Sequence, residues 1–88
     1  MADLTNDVVF VTGATSGIGA SVARKFVSEG ARVVATGRRE DRLNSLHREL
    51  GARLCPIPLD VRDNNAVTQC LKNLPIEFSP ITVLVNNA

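Results

Sequence analysis

Three glycines, Gly13, Gly17 and Gly19, fall within the stretch Gly13-Ala-Thr-Ser-Gly17-Ile-Gly19, just after the apolar run Val8-Val-Phe-Val11. A glycine where a strand ends allows a tight bend. A second, lacking a side chain, leaves room for a pyrophosphate to approach, and a third lets the next helix pack close to the sheet. The N-terminus of that helix aims free N–H groups and a partial positive charge at the phosphates. Thr15 and Ser16 can add hydroxyl donors. The competing readings are a strand–helix turn without a ligand and a methyltransferase-type glycine loop. A P-loop is excluded, because no Lys-Ser/Thr follows the glycines.

The next residues with chemical content lie further on. In NAD-binding units an acid at the end of the second strand, roughly 20 residues beyond the glycines, accepts hydrogen bonds from the ribose 2′-hydroxyl. Here that position is Gly37, followed by Arg38 and Arg39. No carboxylate repels a 2′-phosphate. One guanidinium can grip the phosphate in a bidentate contact and another can stack on adenine. This favours NADP over NAD and is a feature the methyltransferase reading leaves unexplained. The competing reading makes both arginines solvated first residues of a helix. Asp60 and Val61 end the third strand. The acid can accept the adenine exocyclic N–H, and a backbone N–H can meet a ring nitrogen; a turn before the next helix is the alternative. Asn86-Asn87-Ala88 ends the fourth strand, where amides can fix the backbone and touch a cofactor, or merely turn the chain.

These groups need a scaffold that brings strand ends to one edge. Apolar periodicity predicts strands over 8–11, 32–36, 54–59 and 81–85 and helices over 18–29, 39–50 and 62–73. In the first helix Ile18, Val22 and Phe26 form a stripe widened by Ala23 and Val27, and Gly30 stops it. In the second, Leu43, Leu46 and Leu50 share a face and Gly51 ends it. In the third, Asp63 is the expected N-cap, with Val67, Cys70, Leu71 and Leu74 inward. Alternating strands and helices with right-handed crossovers give an α/β fold, a doubly wound parallel Rossmann sheet of strand order 3-2-1-4. Pro56 and Pro58 remove two N–H donors from one side of the third strand and assign it to an edge. The fourth strand is the other edge, yet Ile81-Thr-Val-Leu-Val85 carries no charge or proline to protect it. It is written for a neighbour, so residues 1–88 are expected to be the N-terminal dinucleotide-binding half of a larger domain.

Composition narrows the function classes. A formal net charge of +1 over 88 residues argues against nucleic-acid or membrane-surface binding through bulk charge. No apolar stretch approaches the ~20 residues of a membrane span, and the polar N-terminus shows no secretory signal. Cys55 and Cys70 are too few for a disulfide framework and are not at metal-ligand spacing; they read as half-buried thiols in a reducing cytoplasm. His47, the only histidine, sits in a charged helical run and reads as a surface residue.

Thr12-Gly-Ala-Thr-Ser-Gly-Ile-Gly19 resembles the TGxxxGxG motif of the short-chain dehydrogenases/reductases. Leu59-Asp-Val61 and Asn86-Asn-Ala88 are similar to that family's adenine-site and NNAG motifs. Ala35-Thr-Gly-Arg-Arg-Glu-Asp-Arg-Leu43 looks like NADP-dependent members, and with Leu74-Pro-Ile-Glu-Phe78 it is similar to bacterial 3-hydroxy acid (serine or allo-threonine) dehydrogenases. The resemblance implies hydride transfer between a nicotinamide and a carbonyl or alcohol, with NADP as cofactor, and a cytoplasmic homo-oligomer at full length. It adds Thr12 and Ile18 to the cofactor positions. It also implies a catalytic Tyr with a Lys, a Ser and an Asn. The sequence contains no tyrosine, so no catalytic residue carries over, and these 88 residues alone are expected to be inactive. The alternative function is a non-catalytic dinucleotide-binding module or a truncated inactive fragment.

Overall fold

The computed structural model describes residues 3–87. Four strands, β1 (Val8–Val11), β2 (Arg32–Gly37), β3 (Leu54–Pro58) and β4 (Val83–Val85), alternate with three helices, α1 (Gly17–Ser28), α2 (Glu40–Leu50) and α3 (Asn64–Lys72). Short 3-10 turns at Gly51–Arg53 and Ile76–Phe78 were not anticipated. The strands form one parallel sheet in the order β3-β2-β1-β4, as the sequence predicts.

The continuous apolar runs of β1 and β2 are explained by burial on both faces. Val9, Val11, Val33 and Ala35 pack beneath α1 and α2 with Ala23, Leu43 and Leu46. Val8, Phe10 and Val34 face the opposite side with Leu59 and Phe78, and α3 covers them through Val67 and Cys70. Registers of Val9 with Val33 and with Val83 tie the centre of the sheet together. The only fully buried polar side chain among the described residues, Thr36, donates its hydroxyl hydrogen to the Val11 carbonyl at 3.0 Å. It thereby adds a cross-strand bond and leaves no buried polar orphan.

The edge assignment of β3 follows from donor direction. The Leu59 N–H points to β2 and donates to the Gly37 carbonyl at 2.8 Å. Alternation along a strand then turns positions 56 and 58 outward, where proline's missing donor costs no ladder bond.

Helix boundaries moved by one or two residues, and the caps explain where they settle. Ser16 caps α1 by accepting from the Gly19 N–H, and Asp63 caps α3 by accepting from the Ala66 N–H. The third helix therefore begins at Asn64, two residues later than the periodicity suggests. Gly30 and Gly51 end α1 and α2 at φ +97° and +76°. Two inward assignments are corrected. Leu71 is 47% exposed, because α3 turns Val67 and Cys70 to the sheet and carries Leu71 past its edge. Ile18 is 72% exposed, because the first turn of α1 sets Gly19 and Ala20 toward the glycine turn and core and leaves Ile18 on its outer side. The fourth strand is also shorter than expected: Ile81 and Thr82 precede it, and the Thr82 hydroxyl bridges Asp7 and Val8.

Candidate functional site

The parallel sheet brings the carboxyl ends of β1, β2 and β3 to one edge. An open cleft of about 690 Å³ lies there, between the glycine turn, the Gly37-Arg38-Arg39 corner and the Leu59–Arg62 turn. This is the crevice beside the point where strand order reverses, the usual ligand position of open α/β sheets.

The three turn glycines are glycine for different reasons. Gly13 sits at φ +64°, and a Cβ on it would overlap the Asn87 carbonyl. A Cβ on Gly19 would overlap the Gly13 carbonyl, so Gly19 lets α1 begin against the turn. At Gly17 neither reason applies. A Cβ there would meet no protein atom within 4 Å, and its φ is not left-handed. The protein's own packing does not require glycine at 17, and the open space belongs to the first turn of α1, where the Gly17 and Ile18 N–H groups have no partner among the described residues while Gly19 and Ala20 donate to Ser16. Two free N–H groups at a helix start, with no side chain over them, form a cradle that fits a pyrophosphate.

The Ser16 hydroxyl is fully committed within the protein. It accepts from the Gly19 N–H at 3.0 Å and from Asn87 Nδ2 at 2.9 Å, and donates to the Gly13 carbonyl at 3.0 Å. As placed it shapes the turn, rather than offering a hydrogen to a ligand. Thr15 keeps its hydroxyl free of hydrogen bonds among the described residues and lines the cleft. Its Cγ2 lies where a Cβ on Gly37 would approach to 2.8 Å, which explains the glycine at the end of β2.

Thr12 is buried and turned away from the cleft. Its Oγ1 donates toward Asn86 Oδ1 at 3.1 Å and accepts from the Asn87 N–H at 2.9 Å. Asn87 Nδ2 also reaches the Gly13 carbonyl at 3.2 Å. Thr12, Asn86 and Asn87 thus bolt the end of β4 to the glycine turn, and Asn87 alone of the three also lines the cleft. Ala88 lies outside the described residues. Ile18 is exposed above the turn.

On the far wall Arg38 and Arg39 are exposed, which fits both the phosphate reading and the solvated-helix-start reading. Arg39 is the N-cap of α2, makes no side-chain cap bond and lies 3.7 Å from Asp41. Asp60 fulfils the turn reading, since its carbonyl accepts from the Asp63 N–H and its Oδ1 from the Arg62 N–H, both at 3.0 Å. It also lines the cleft, so the turn geometry leaves room for the adenine reading. The Arg62 guanidinium beside it, with a smaller contribution from Arg38, holds the Asp60 carboxyl down at about 2. Val61 lines the same wall.

Sequence reasoning missed Arg42 and Arg62, which both face the cleft. Arg42 follows Arg38 by four positions, and its Nη1 reaches the Thr15 carbonyl at 3.4 Å; an i, i+4 spacing beside the helix start was the available signal. Arg62 had none beyond following Asp60. The cysteines lie away from the cleft. Burial raises both thiol pKa values, and for Cys55 the neighbouring Cys70 and Glu77 add to it. Among the described residues no group of three or more His, Cys, Asp or Glu gathers to hold a metal, and no helix is long and apolar enough to cross a membrane.

A glycine turn, an acid-free second-strand corner and an amide bolt on one sheet edge define a class, the nucleotide-binding doubly wound α/β proteins. Within it, residues 7–88 match the short chain dehydrogenase family, and the chain belongs to that family. It is 49% identical over 81 residues to the NADP-dependent 3-hydroxy acid dehydrogenase YdfG of Escherichia coli, covering 92% of this chain and 33% of that protein. It is 48% identical over 80 residues to serine 3-dehydrogenase of Agrobacterium fabrum, covering 91% and 32%. Among solved structures it is similar to the closed form of a serine dehydrogenase complexed with NADP+, at TM-score 0.89 and 48% identity over 92% of this chain and 33% of that one. The chain thus spans about a third of the length of these relatives.

Proposed function

We propose that residues 1–88 form the N-terminal dinucleotide-binding half of a Rossmann domain in an NADP-dependent oxidoreductase. The reaction is hydride transfer between a nicotinamide and a carbonyl or alcohol, with a small 3-hydroxy acid as the substrate class. The protein is cytoplasmic, and a homo-oligomer at full length. The observation that carries the cofactor reading is Gly17, exposed at the first turn of α1 beside the cleft-lining Thr15 and Ser16, with no packing or backbone need for glycine. The 2′-phosphate reading rests on Gly37-Arg38-Arg39, where β2 ends without a carboxylate. The relatives' printed names support both the cofactor and the substrate class.

The Gly17 and Ile18 N–H groups at the first turn of α1 would hold the pyrophosphate, with the Thr15 hydroxyl as a further donor. Arg38, Arg39 and Arg42 would surround the 2′-phosphate, and Asp60 with the Val61 N–H would read the adenine edge. Thr12, Ser16, Asn86 and Asn87 hold these groups in register. Bound NADP supplies or accepts the hydride. Residues 1–88 contain no tyrosine, which supports a gripping rather than a proton-transferring role for them.

The test is Arg38→Asp combined with Arg39→Ala in the full-length protein, with NADP and NAD binding measured by calorimetry. NADP affinity should fall about a hundredfold, the equivalent of ~2.7 kcal/mol, while NAD changes little. Equal losses for both nucleotides contradict the 2′-phosphate assignment.

A further inference from the structure

Arg62 is exposed, stands at the cleft and grips Asp60 with more geometric order than any other ion pair at this edge. Its Nε lies 3.1 Å from Oδ1 and its Nη2 3.0 Å from Oδ2, a two-pronged contact, while its own backbone N–H donates to Oδ1 at 3.0 Å. A carboxylate oxygen has two lone-pair sites. Oδ1 therefore has both filled by Arg62. Oδ2 has one filled and one left. The carbonyl of Asp60 is also taken, by the Asp63 N–H. The Asp63 carboxylate is occupied in turn at the start of α3, where it accepts from the Ala66 N–H at 3.1 Å. Arg38 is the other charged group acting on Asp60. The corner thus presents a cleft-lining carboxylate whose orientation is fixed and whose single remaining acceptor site is on Oδ2.

We infer that Arg62 is a positioning residue for base recognition: it locks the Asp60 carboxylate so that Oδ2 accepts one N–H from a 6-aminopurine and rejects a 6-ketopurine. This rests on the proposal that the cleft holds the adenine end of a dinucleotide. The physics is one of lone pairs. An ionised carboxylate can only accept, so a base must offer hydrogen there. A 6-amino group does so. A 6-keto oxygen offers only lone pairs against a negative oxygen and forfeits the bond. Asp60 is held ionised far below neutral pH by the same guanidinium, so it does not acquire the proton that would let it donate to a keto group. Without Arg62, the carboxylate is free to rotate, and the acceptor site is no longer held toward the base. A lysine could keep the charge but not the planar two-pronged grip.

The experiment compares NADP with its 6-keto analogue, nicotinamide hypoxanthine dinucleotide phosphate, on the full-length protein by calorimetry. NAD serves as a third ligand to report the 2′-phosphate contacts. The variants are Arg62→Met, Arg62→Lys and Asp60→Asn, each checked by thermal unfolding. The wild type should prefer NADP over the 6-keto analogue by about tenfold or more, the size of one hydrogen bond to a charged group. Arg62→Met should shrink that preference by several-fold through weaker NADP binding, with Arg62→Lys between the two. The preference for NADP over NAD should stay unchanged, which a general loss of structure would not allow. If Arg62→Met and Arg62→Lys keep the full amino-over-keto preference while Asp60→Asn abolishes it, Asp60 reads the base without Arg62 and the inference is overturned. If Asp60→Asn leaves the preference intact, the adenine assignment of the cleft itself fails, and the inference with it.

Discussion

Gly17 and Gly19 lie two positions apart and answer to different constraints. A methyl group on Gly19 would collide with the Gly13 carbonyl, whereas one on Gly17 would meet open space at the first turn of α1. Gly19→Ala should therefore destabilise the protein by about 1–3 kcal/mol or more, since rigid backbone must shift. Gly17→Ala should leave thermal stability unchanged or slightly raised, because alanine is the better helix former. The same Gly17→Ala change should weaken dinucleotide binding by about tenfold or more, at least ~1.4 kcal/mol. Paired unfolding and binding measurements separate the two effects; a Gly17→Ala variant that binds normally removes the cradle argument. The residue scale also separates grip from support. Thr15, Arg38 and Arg42 keep donors facing the cleft, whereas Ser16 and Thr12 have spent theirs inside the protein.

Each helix acts as a lever that sets one wall of the site. Seated on Leu43 and Leu46, α2 carries Arg39 and Arg42 at its first turn. The exposed Arg24–Glu49 pair, 2.7 Å apart, links α1 to α2 across solvent and is a minor contribution beside the core. Leu43→Ala should cost about 2–5 kcal/mol in urea unfolding, because the leucine is fully buried between helix and sheet. Leu71→Ala on α3 should cost no more than about 0.5 kcal/mol, because that leucine faces solvent. Equal losses at the two positions would mean that Leu71 does face inward, as its spacing suggested. Helix periodicity ranked both leucines alike, because it defines a stripe but not how far the facing sheet extends.

The whole molecule is a two-faced sheet with unequal edges. Proline protects β3, whereas β4 pairs only with β1 among the described residues and leaves Leu84 67% exposed. Leu84 stands opposite Phe10, but the cover of α3, Phe78 and Ile81 over Phe10 does not reach it. An unprotected apolar edge is a template for another strand. An 88-residue polypeptide should therefore self-associate at micromolar concentration, and Leu84→Lys should reduce this in sedimentation velocity. A monodisperse wild-type monomer whose β4 amides exchange freely contradicts the expectation.

Much of this was legible in one dimension. The alternation of apolar runs with 3.6-period segments specified the layers, the two prolines specified an edge, and the glycine spacing specified the tight turn between β1 and α1. These signals are local, set by backbone sterics and by the period of each element, so they survive without coordinates. Which hydroxyls are free, and which arginines complete the cleft, was decided only by the fold. Asn87 and its partners Gly13 and Ser16 come from opposite ends of the chain. Arg42 and Arg62 share a cleft with the glycine turn through strands paired in space rather than in sequence. A donor's availability depends on what stands within three ångströms of it, and that distance is a property of tertiary packing.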